Sequence, residues 1–332
     1  MALPLIAAEL RIGVLSLFRP ERITVRSSEP LWVQAGGRSF FLAPGQVAGL
    51  RAVGPEIDLF AQQQASTSTR VTISGRGGAP ATYRLGIEGK LDRTFTGRLD
   101  VKAIASRLEP VILVDLEAAV AAVVAAEVPA DTPPEALKAM AVLARSYYIA
   151  GARRHGAYDF CDTTHCQWRR ETIAASHPAT AATQATEGIV LARGDKVLPA
   201  MYHASCGGRT KSSTDIGLKD DDYPYTPVDC EACRRDAPIW TRKLPAAVAA
   251  PLINSPSESK RLKINREQGS KTLPSNTYKA AGEGDSVIFE GRGDGHGLGV
   301  CQKGIIALAA AGADFRTLLS RYLPQTRTIG AK

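Results

Sequence analysis

PADTPPEALKAMAVLARSYYIAGARRHGAYDFCDTTHCQ, residues 129–167, sets a helix directly before a knot of histidines and cysteines. Thr132 or Asp131 can cap that helix, Pro134 suits its first turn, and Glu135 lies where the aligned amide dipoles favour an anion. The spacing predicts a helix over Pro134 to Arg153, with Leu137, Ala141, Ala144 and Tyr148 on one apolar, core-facing side. His155, Cys161, His165 and Cys166 follow. The chain has five histidines and six cysteines in 332 residues, so four of them in this short span belong to one site. Two imidazoles and two thiolates are the ligand set of a tetrahedral structural zinc, and such soft donors disfavour magnesium and calcium. With every position filled by protein, the metal would brace the loop and leave no place for a reactive water. On spacing alone, a Cys161–Cys166 disulfide beside two bystander histidines also explains these residues.

Immediately upstream, residues 113–127 read LVDLEAAVAAVVAAE. Asp115 is a natural N-cap and the alanine-rich run favours helix, which Val128-Pro129 ends. Glu127 closes the run. A carboxylate at a helix C-terminus faces the unfavourable end of the dipole and neighbours apolar side chains, two influences that raise its pKa. A raised pKa is what a general acid needs. A solvated surface glutamate is the bland alternative.

Further toward the N-terminus, residues 9 to about 105 are β-rich. RIGVLSL, RITVRS, LWVQAG, SFFLAPG, TRVTISG and TYRLGIEG are short segments of β-branched and aromatic residues punctuated by glycine and proline, as in meandering antiparallel strands. This region carries no nucleophile beside a base, no phosphate loop and no metal-ligand spacing, and is expected to be a scaffold. The start, MALPLIAAELRIGVLSLF, lacks a basic leader and does not read as a signal peptide.

Downstream, residues 178–210 predict a short alanine-rich helix, two strands about Gly194-Asp195, and then Tyr202, His203, Ser205 and Cys206 before Gly207-Gly208. Residues 212–236 read as loop and hold Cys230-x2-Cys233. With Cys206 and Cys301 these offer either a second four-thiol metal site or two disulfides. RLKIN, NTYKA and SVIFEG read as strands. GRGDGHGLGVCQKG follows, with six glycines around His296, so the backbone there turns tightly or admits a close neighbour. A helical pattern broken at Gly312 then runs from Gly304 to Leu323. The expectation is an α+β chain: a β-rich N-terminal region over 1–105 and a core of helices packed on antiparallel strands over 106–332, in which strands within 243–290 can form a subdomain of their own.

The composition suits a folded protein, with 44% hydrophobic and 22% charged residues, and no apolar run reaches the ~20 residues of a membrane span. The net charge of +8 favours an anionic partner. The basic residues are dispersed, including the pairs at 153–154, 169–170 and 234–235, and no aromatic-basic recognition motif accompanies them, so nucleic acid is not the expected partner.

EALKAMAVLARSYYIA, YDFCDTTHCQ, YHASCGGRT and GDGHGLGVCQKG, in that order, resemble the SpoIID/LytB family of sporulation stage II protein D and the amidase enhancer, over roughly Arg93 to Thr328. The resemblance implies a SpoIID-like catalytic core and an extracytoplasmic peptidoglycan lytic transglycosylase. Such an enzyme cleaves the MurNAc–GlcNAc bond of glycan strands, in some members peptide-stripped ones, to leave 1,6-anhydro-MurNAc ends. It places the catalytic glutamate of AAEVP at Glu127, with Glu135 in reserve, and a structural zinc, one per chain, on His155, Cys161, His165 and Cys166. It places the substrate-binding residues at Tyr202, Ser205, Gly207, Gly208, His296 and Gln302. Met140, Asp294 and Ile216-Gly217 depart from the family pattern, which carries a glutamine, an aromatic and a tryptophan there. A non-catalytic glycan-binding enhancer of a partner cell-wall amidase is the alternative that the same resemblance offers.

Overall fold

Eleven strands precede the first helix. In this computed structural model, which describes residues 9–62, 64–151, 153, 155–219 and 225–330, they are β1 (Glu9–Gly13), β2 (Arg22–Arg26), β3 (Leu31–Ala35), β4 (Arg38–Leu42), β5 (Val47–Val53), β6 (Glu56–Ala61), β7 (Gln64–Ser68), β8 (Arg70–Ser74), β9 (Ala81–Ile87), β10 (Leu91–Ile104) and β11 (Arg107–Asp115). Met1–Ala8, on which the leader reading fell, and Arg154 lie outside the described residues. The expected period of two is plain: in RITVR, Ile23 and Val25 are buried while Arg22, Thr24 and Arg26 are exposed. A twelfth strand, β12 (Phe160–Cys161), adds to the same curled sheet, whose main path runs β12-β1-β11-β10-β9-β2-β5-β6-β7, with β8, β3 and β4 branching from β10. All pairings are antiparallel except β1 with β12.

The sheet turns on β10. Its first half, to Gly97, pairs with β9, and its second half pairs with β11 and β8. Gly97 sits at φ +145°, and a Cβ there would stand 2.4 Å from the Leu113 carbonyl oxygen. Only glycine permits that approach where the strand changes partners.

Helix α1 (Leu116–Glu127) starts as its sequence predicts, with the Asp115 carboxylate accepting the Ala118 amide at 3.0 Å. Val120, Val123 and Val124 are fully buried, each contributing roughly 1.5–3 kcal/mol. The helix packs on β11, β1 and α3 (Pro178–Ala185).

The chain forms two compact units. The first takes the described residues up to Ala130 together with Gly151–Gly188; the second takes Asp131–Ala150 and Ile189–Gly330. Residues 106–332 therefore contribute to both. In the second unit α2 (Pro134–Ala150) is buried on nearly every side, including Leu137, Ala141, Ala144 and Tyr148. It packs against β13 (Ile189–Arg193), which pairs with β14 (Lys196–Val197) and β20 (Arg327–Gly330), and against α7 (Gln302–Ala310) and α8 (Phe315–Tyr322). The Leu191 amide donates to Ser146 Oγ at 2.8 Å, and Arg145 Nη1 donates to the Ile189 carbonyl at 3.0 Å. These bonds fix the helix to the strand.

A smaller antiparallel sheet, β16 (Ile239–Pro245), β18 (Ser286–Arg292) and β17 (Tyr278–Glu283), carries its own apolar cluster around Trp240, Leu252, Leu273 and Phe289. Helices α5 (Ala246–Ala249) and α6 (Glu258–Gln268) join it. Here the structure corrects the sequence reading: RLKIN is not a strand but lies inside α6. Glu258, Arg261 and Ile264 are buried at helical spacing, whereas Leu262 stays exposed. The local apolar-polar alternation is outweighed by flanking Lys, Arg, Glu and Gln, all good helix formers. Residues 212–236 likewise are not all loop, because Glu231–Asp236 forms α4. No helix among the described residues is long and apolar enough to cross a membrane.

The glycine-rich segment has a packing explanation. Gly293, Gly295, Gly297 and Gly299 all have positive φ, and added Cβ atoms would meet Ser205 O at 2.5 Å, His203 Cβ at 2.8 Å, Lys211 Cγ at 2.8 Å and Met201 O at 2.1 Å. Every second residue lies edge-on against the 201–211 segment, so the close neighbour is the chain itself. Gly299→Ala meets the shortest of these contacts at a left-handed φ and is expected to destabilise the protein by about 3 kcal/mol. Thermal unfolding of that variant beside Gly312→Ala, where a Cβ meets open space, would check it; equal losses would remove the packing explanation.

Candidate functional site

The 155–166 loop is anchored to the first unit's sheet. Phe160 and Cys161 pair in parallel with Ile12 and Gly13. The Asp159 amide donates to the Arg11 carbonyl at 2.8 Å, and the Arg11 amide donates to Asp159 Oδ2 at 3.0 Å. Asp162 is buried and accepts the Leu15 amide at 2.7 Å and the Ser16 amide at 3.2 Å. Leu15 has φ +59°, an uncommon conformation for a branched side chain, and the Asp162 carboxylate holds its amide there. Burial raises the Asp162 pKa, while Ser16 and the two amides oppose the shift. The Tyr158 ring lies where a Cβ on Gly13 would be, 2.7 Å away, and stacks on His155 with ring centroids 4.5 Å apart.

These anchors bring the four predicted ligands together. Their donor atoms all lie within 4.8 Å of one another. His155 Nε2 stands 3.3 Å from Cys166 Sγ, and His165 Nδ1 stands 3.5 Å from Cys166 Sγ and 3.9 Å from Cys161 Sγ. A zinc tetrahedron has sulfur-to-nitrogen edges of roughly 3.6 Å, so both donor set and spacing fit such an ion. Hydrogen bonding by Cys166 lowers the Cys161 pKa to about 4 against the opposing effect of burial, with Thr163 and His165 assisting. A thiol that ionises readily is a competent ligand.

Two carboxylates compete for the role of acid. Glu127 is the last residue of α1 in the first unit and is partly exposed; after it, buried Val128 closes the helix by donating to the Val124 carbonyl at 3.1 Å. Glu135 belongs to the second unit and is engaged. Its Oε1 lies 2.6 Å from Lys138 Nζ, and its Oε2 accepts the Phe315 amide at 2.9 Å, tying α2 to the entrance of α8. Lys138 holds the Glu135 carboxyl below the usual range, helped by the Phe315 amide and opposed by burial. Because its folded pKa is depressed, its contribution to stability is present above the unfolded carboxylate pKa and is lost as pH falls through the folded value. The stability gap between the native chain and Glu135→Gln is therefore expected to close on acidification through the carboxylate range, as melting curves across pH would record. A constant gap would contradict this.

The remaining predicted residues lie in the second unit. Tyr202 and His203 form β15, which pairs in parallel with β19 (Val300–Cys301). Tyr202 and His296 are partly exposed, while Ser205, Gly207, Gly208 and Gln302 are buried. Ser205 Oγ faces Cys233 Sγ at 3.2 Å, and a Cβ on Gly207 would stand 2.7 Å from the Arg292 carbonyl oxygen. In this unit Tyr202 and His296 are the members of the set with surface to offer a polymer; the buried ones frame them. His296 Nδ1 accepts the Leu298 amide at 3.0 Å, and His203 Nδ1 donates to the Leu298 carbonyl at 2.9 Å. Burial lowers the His203 pKa to about 3, with His296 adding to the shift, so this ring is neutral at physiological pH.

Beneath the His296 loop lies a polar group that sequence reading passed over. Buried Arg261 pairs with Glu258 through two bonds of 2.7 and 2.8 Å, and Asn276 Nδ2 donates to Glu258 Oε2 at 2.7 Å and to the His296 carbonyl at 3.1 Å. Its signal was the Glu258-x2-Arg261 spacing, hidden once RLKIN was read as a strand. Glu109 on β11 was also passed over. Burial raises its pKa, with Lys102, His155 and Arg11 opposing.

Residues 105–192 match the family model SpoIID, Stage II sporulation protein. That match supports assigning this segment to the SpoIID family. The matched segment contains α1 with Glu127, α2 with Glu135 and the four predicted ligands of the 155–166 loop, and ends before Tyr202. The match to that family supports a cell-wall-related role for the segment. An uncharacterized protein of Brachyspira hyodysenteriae is 24% identical over 229 residues, 59% of this chain and 61% of that protein. The match thus spans about three-fifths of the relative's own length.

Proposed function

We propose that this chain is an extracytoplasmic lytic transglycosylase of peptidoglycan glycan strands, with Glu127 as its acid and then its base. The family match supports the substrate class. The observation that carries the choice of residue is position: Glu127 is the last residue of α1, inside the matched segment and directly before Val128-Pro129, whereas Glu135, the reserve, is held below the usual carboxylate range by Lys138 and the Phe315 amide. Glu127 closes a helix at the dipole end that disfavours its ionised form, which suits a carboxyl that must be protonated before it acts.

A hydrolase ordinarily needs two carboxyl groups, one as acid and one to activate water or attack the sugar. A lytic transglycosylase needs one. Protonated Glu127 gives its proton to the glycosidic oxygen as the bond from the muramyl C1 breaks. The muramyl C6 hydroxyl then attacks C1 and passes its proton to the Glu127 carboxylate, so the acid is restored and no water is consumed. Within the second unit, Tyr202, Ser205, Gly207, Gly208, His296 and Gln302 are the residues assigned to binding the strand, with Tyr202 and His296 partly exposed. His155, Cys161, His165 and Cys166 would hold a structural zinc, whose part would be to brace the loop and not to react.

Incubating the purified protein with intact and with peptide-stripped strands tests this reading. Anhydro-muramyl ends, detected by mass, are the expected product. Strand binding without any such product would replace the enzyme with a glycan-binding module, and stimulation of a cell-wall amidase by that module would make it an enhancer.

A further inference from the structure

Of the chain's six cysteines, the 155–166 loop uses two, Cys161 and Cys166. The other four, Cys206, Cys230, Cys233 and Cys301, come from three separate stretches of the second unit and meet in its interior. All four are buried, between 0% and 2% exposed. Their sulfur atoms lie within 4.8 Å of one another, with Cys233 and Cys301 3.4 Å apart and Cys230 and Cys301 4.0 Å apart. We propose that these four cysteines form a second zinc centre, closed and made entirely of thiolates.

The spacing favours one ion. Around a single zinc with zinc–sulfur bonds near 2.3 Å, sulfur-to-sulfur edges are about 3.8 Å, which the two measured separations straddle. A disulfide would draw each pair together to about 2.05 Å. An iron–sulfur cluster would hold its thiolates further apart, around a core of several atoms.

The surroundings are those of thiolates held in place. Tyr322 donates its hydroxyl to Cys230 Sγ at 3.3 Å, Ser205 Oγ reaches Cys233 Sγ at 3.2 Å, and the Gly208 amide bonds to Cys206. Donors on a ligand sulfur orient it and fix its charge. Cys230 stands at the entrance of α4 with Cys233 one turn inside, and Arg292 Nη2 donates to the Cys233 and Arg234 carbonyls at 3.0 Å each, holding that short helix in register. Gly304 completes the fit: a Cβ there would stand 1.8 Å from Tyr322 Oη and 2.8 Å from Cys230 Sγ.

With four protein ligands the ion has no open position, so its part is to join segments. Cys206 follows the strand bearing Tyr202, and Cys301 follows the loop bearing His296. One ion would therefore clamp together the two stretches that carry Tyr202 and His296, the partly exposed members of the proposed glycan-binding set. The centre itself does not depend on the lytic reading.

Metal analysis and zinc-edge X-ray absorption on the untreated full-length protein test it. The expected result is about two zinc ions per chain with an average of about three sulfur and one nitrogen ligands, because an all-sulfur site and a mixed site are summed. The Cys161→Ser, Cys166→Ser double variant should keep about one zinc, ringed by sulfur alone. One zinc per chain with equal sulfur and nitrogen would overturn the proposal and leave the first site standing. One zinc with sulfur ligands only, in the unaltered chain, would uphold it while removing the other. Should Cys206, Cys230, Cys233 and Cys301 resist alkylation until a disulfide reductant is added, in metal-free protein, two disulfides occupy the place and the centre does not exist.

Discussion

Glu127→Gln is expected to slow formation of anhydro-muramyl ends by about 10²–10⁴-fold, the usual contribution of a positioned general acid–base. Glutamine keeps the size and the hydrogen-bonding reach of the side chain but has no proton to give a leaving oxygen, and no anionic oxygen to receive one. Because one carboxyl serves both half-reactions, no second group can cover for its loss. The fold should not suffer. Glu127 is partly exposed on the last turn of α1, and glutamine keeps its length and one acceptor oxygen, so the variant should stay folded with a melting temperature close to that of the native chain. Falling turnover with undiminished stability and unchanged strand binding is the signature of a reacting group. Glu109→Gln is the companion, since burial raises the pKa of that carboxyl, which lies on β11. If Glu109→Gln abolishes turnover and Glu127→Gln does not, the acid has been misassigned.

The second large effect is on stability. If the 155–166 loop holds the proposed zinc, stripping it, or replacing Cys161 by serine, should cost more than any single core substitution. Structural zinc binding in small sites is worth about 10–16 kcal/mol in apparent free energy near neutral pH, comparable to the whole stability of a domain. Part of the loop's order survives without the ion, because Asp159 and Asp162 still bind the Arg11, Leu15 and Ser16 amides. Hydrogen exchange should therefore show residues near His155, His165 and Cys166 becoming exposed on chelation while β1 and β11 stay protected. Protons compete with zinc for imidazole and thiolate, so the stability supplied by the metal should fall as pH falls. A chelator that leaves exchange and melting unaltered would end the assignment of a structural metal to this loop.

Much of this was legible in the residues. The Asp115 cap, the apolar face of α2, the period-two strands of the first hundred residues and the grouping of His155, Cys161, His165 and Cys166 each follow from short-range spacing, which local sequence encodes. What was not legible depends on distant partners. RLKIN reads as a strand because its alternation is local, whereas the burial of Arg261 depends on Glu258 and on the Leu273 carbonyl. The purpose of the alternate glycines at 293–299 could not be read without knowing that the 201–211 segment passes beside them. The capture of Glu135 by the Phe315 amide, 180 residues on, helps hold its carboxyl below the usual range, and no helix-terminus argument contains that contact.

The path of the backbone between the two units has a consequence for synthesis. The first unit begins with β1 but is completed only by Gly151–Gly188, which supplies β12, the partner of β1; the intervening Asp131–Ala150 belongs to the second unit, whose other elements start at Ile189. Leaving the ribosome, α2 must wait for strands not yet translated, while the opening sheet waits for its edge until α2 has gone by. Neither unit can be produced by trimming the gene from one end, so deletion mapping would report two broken proteins where it sought two modules.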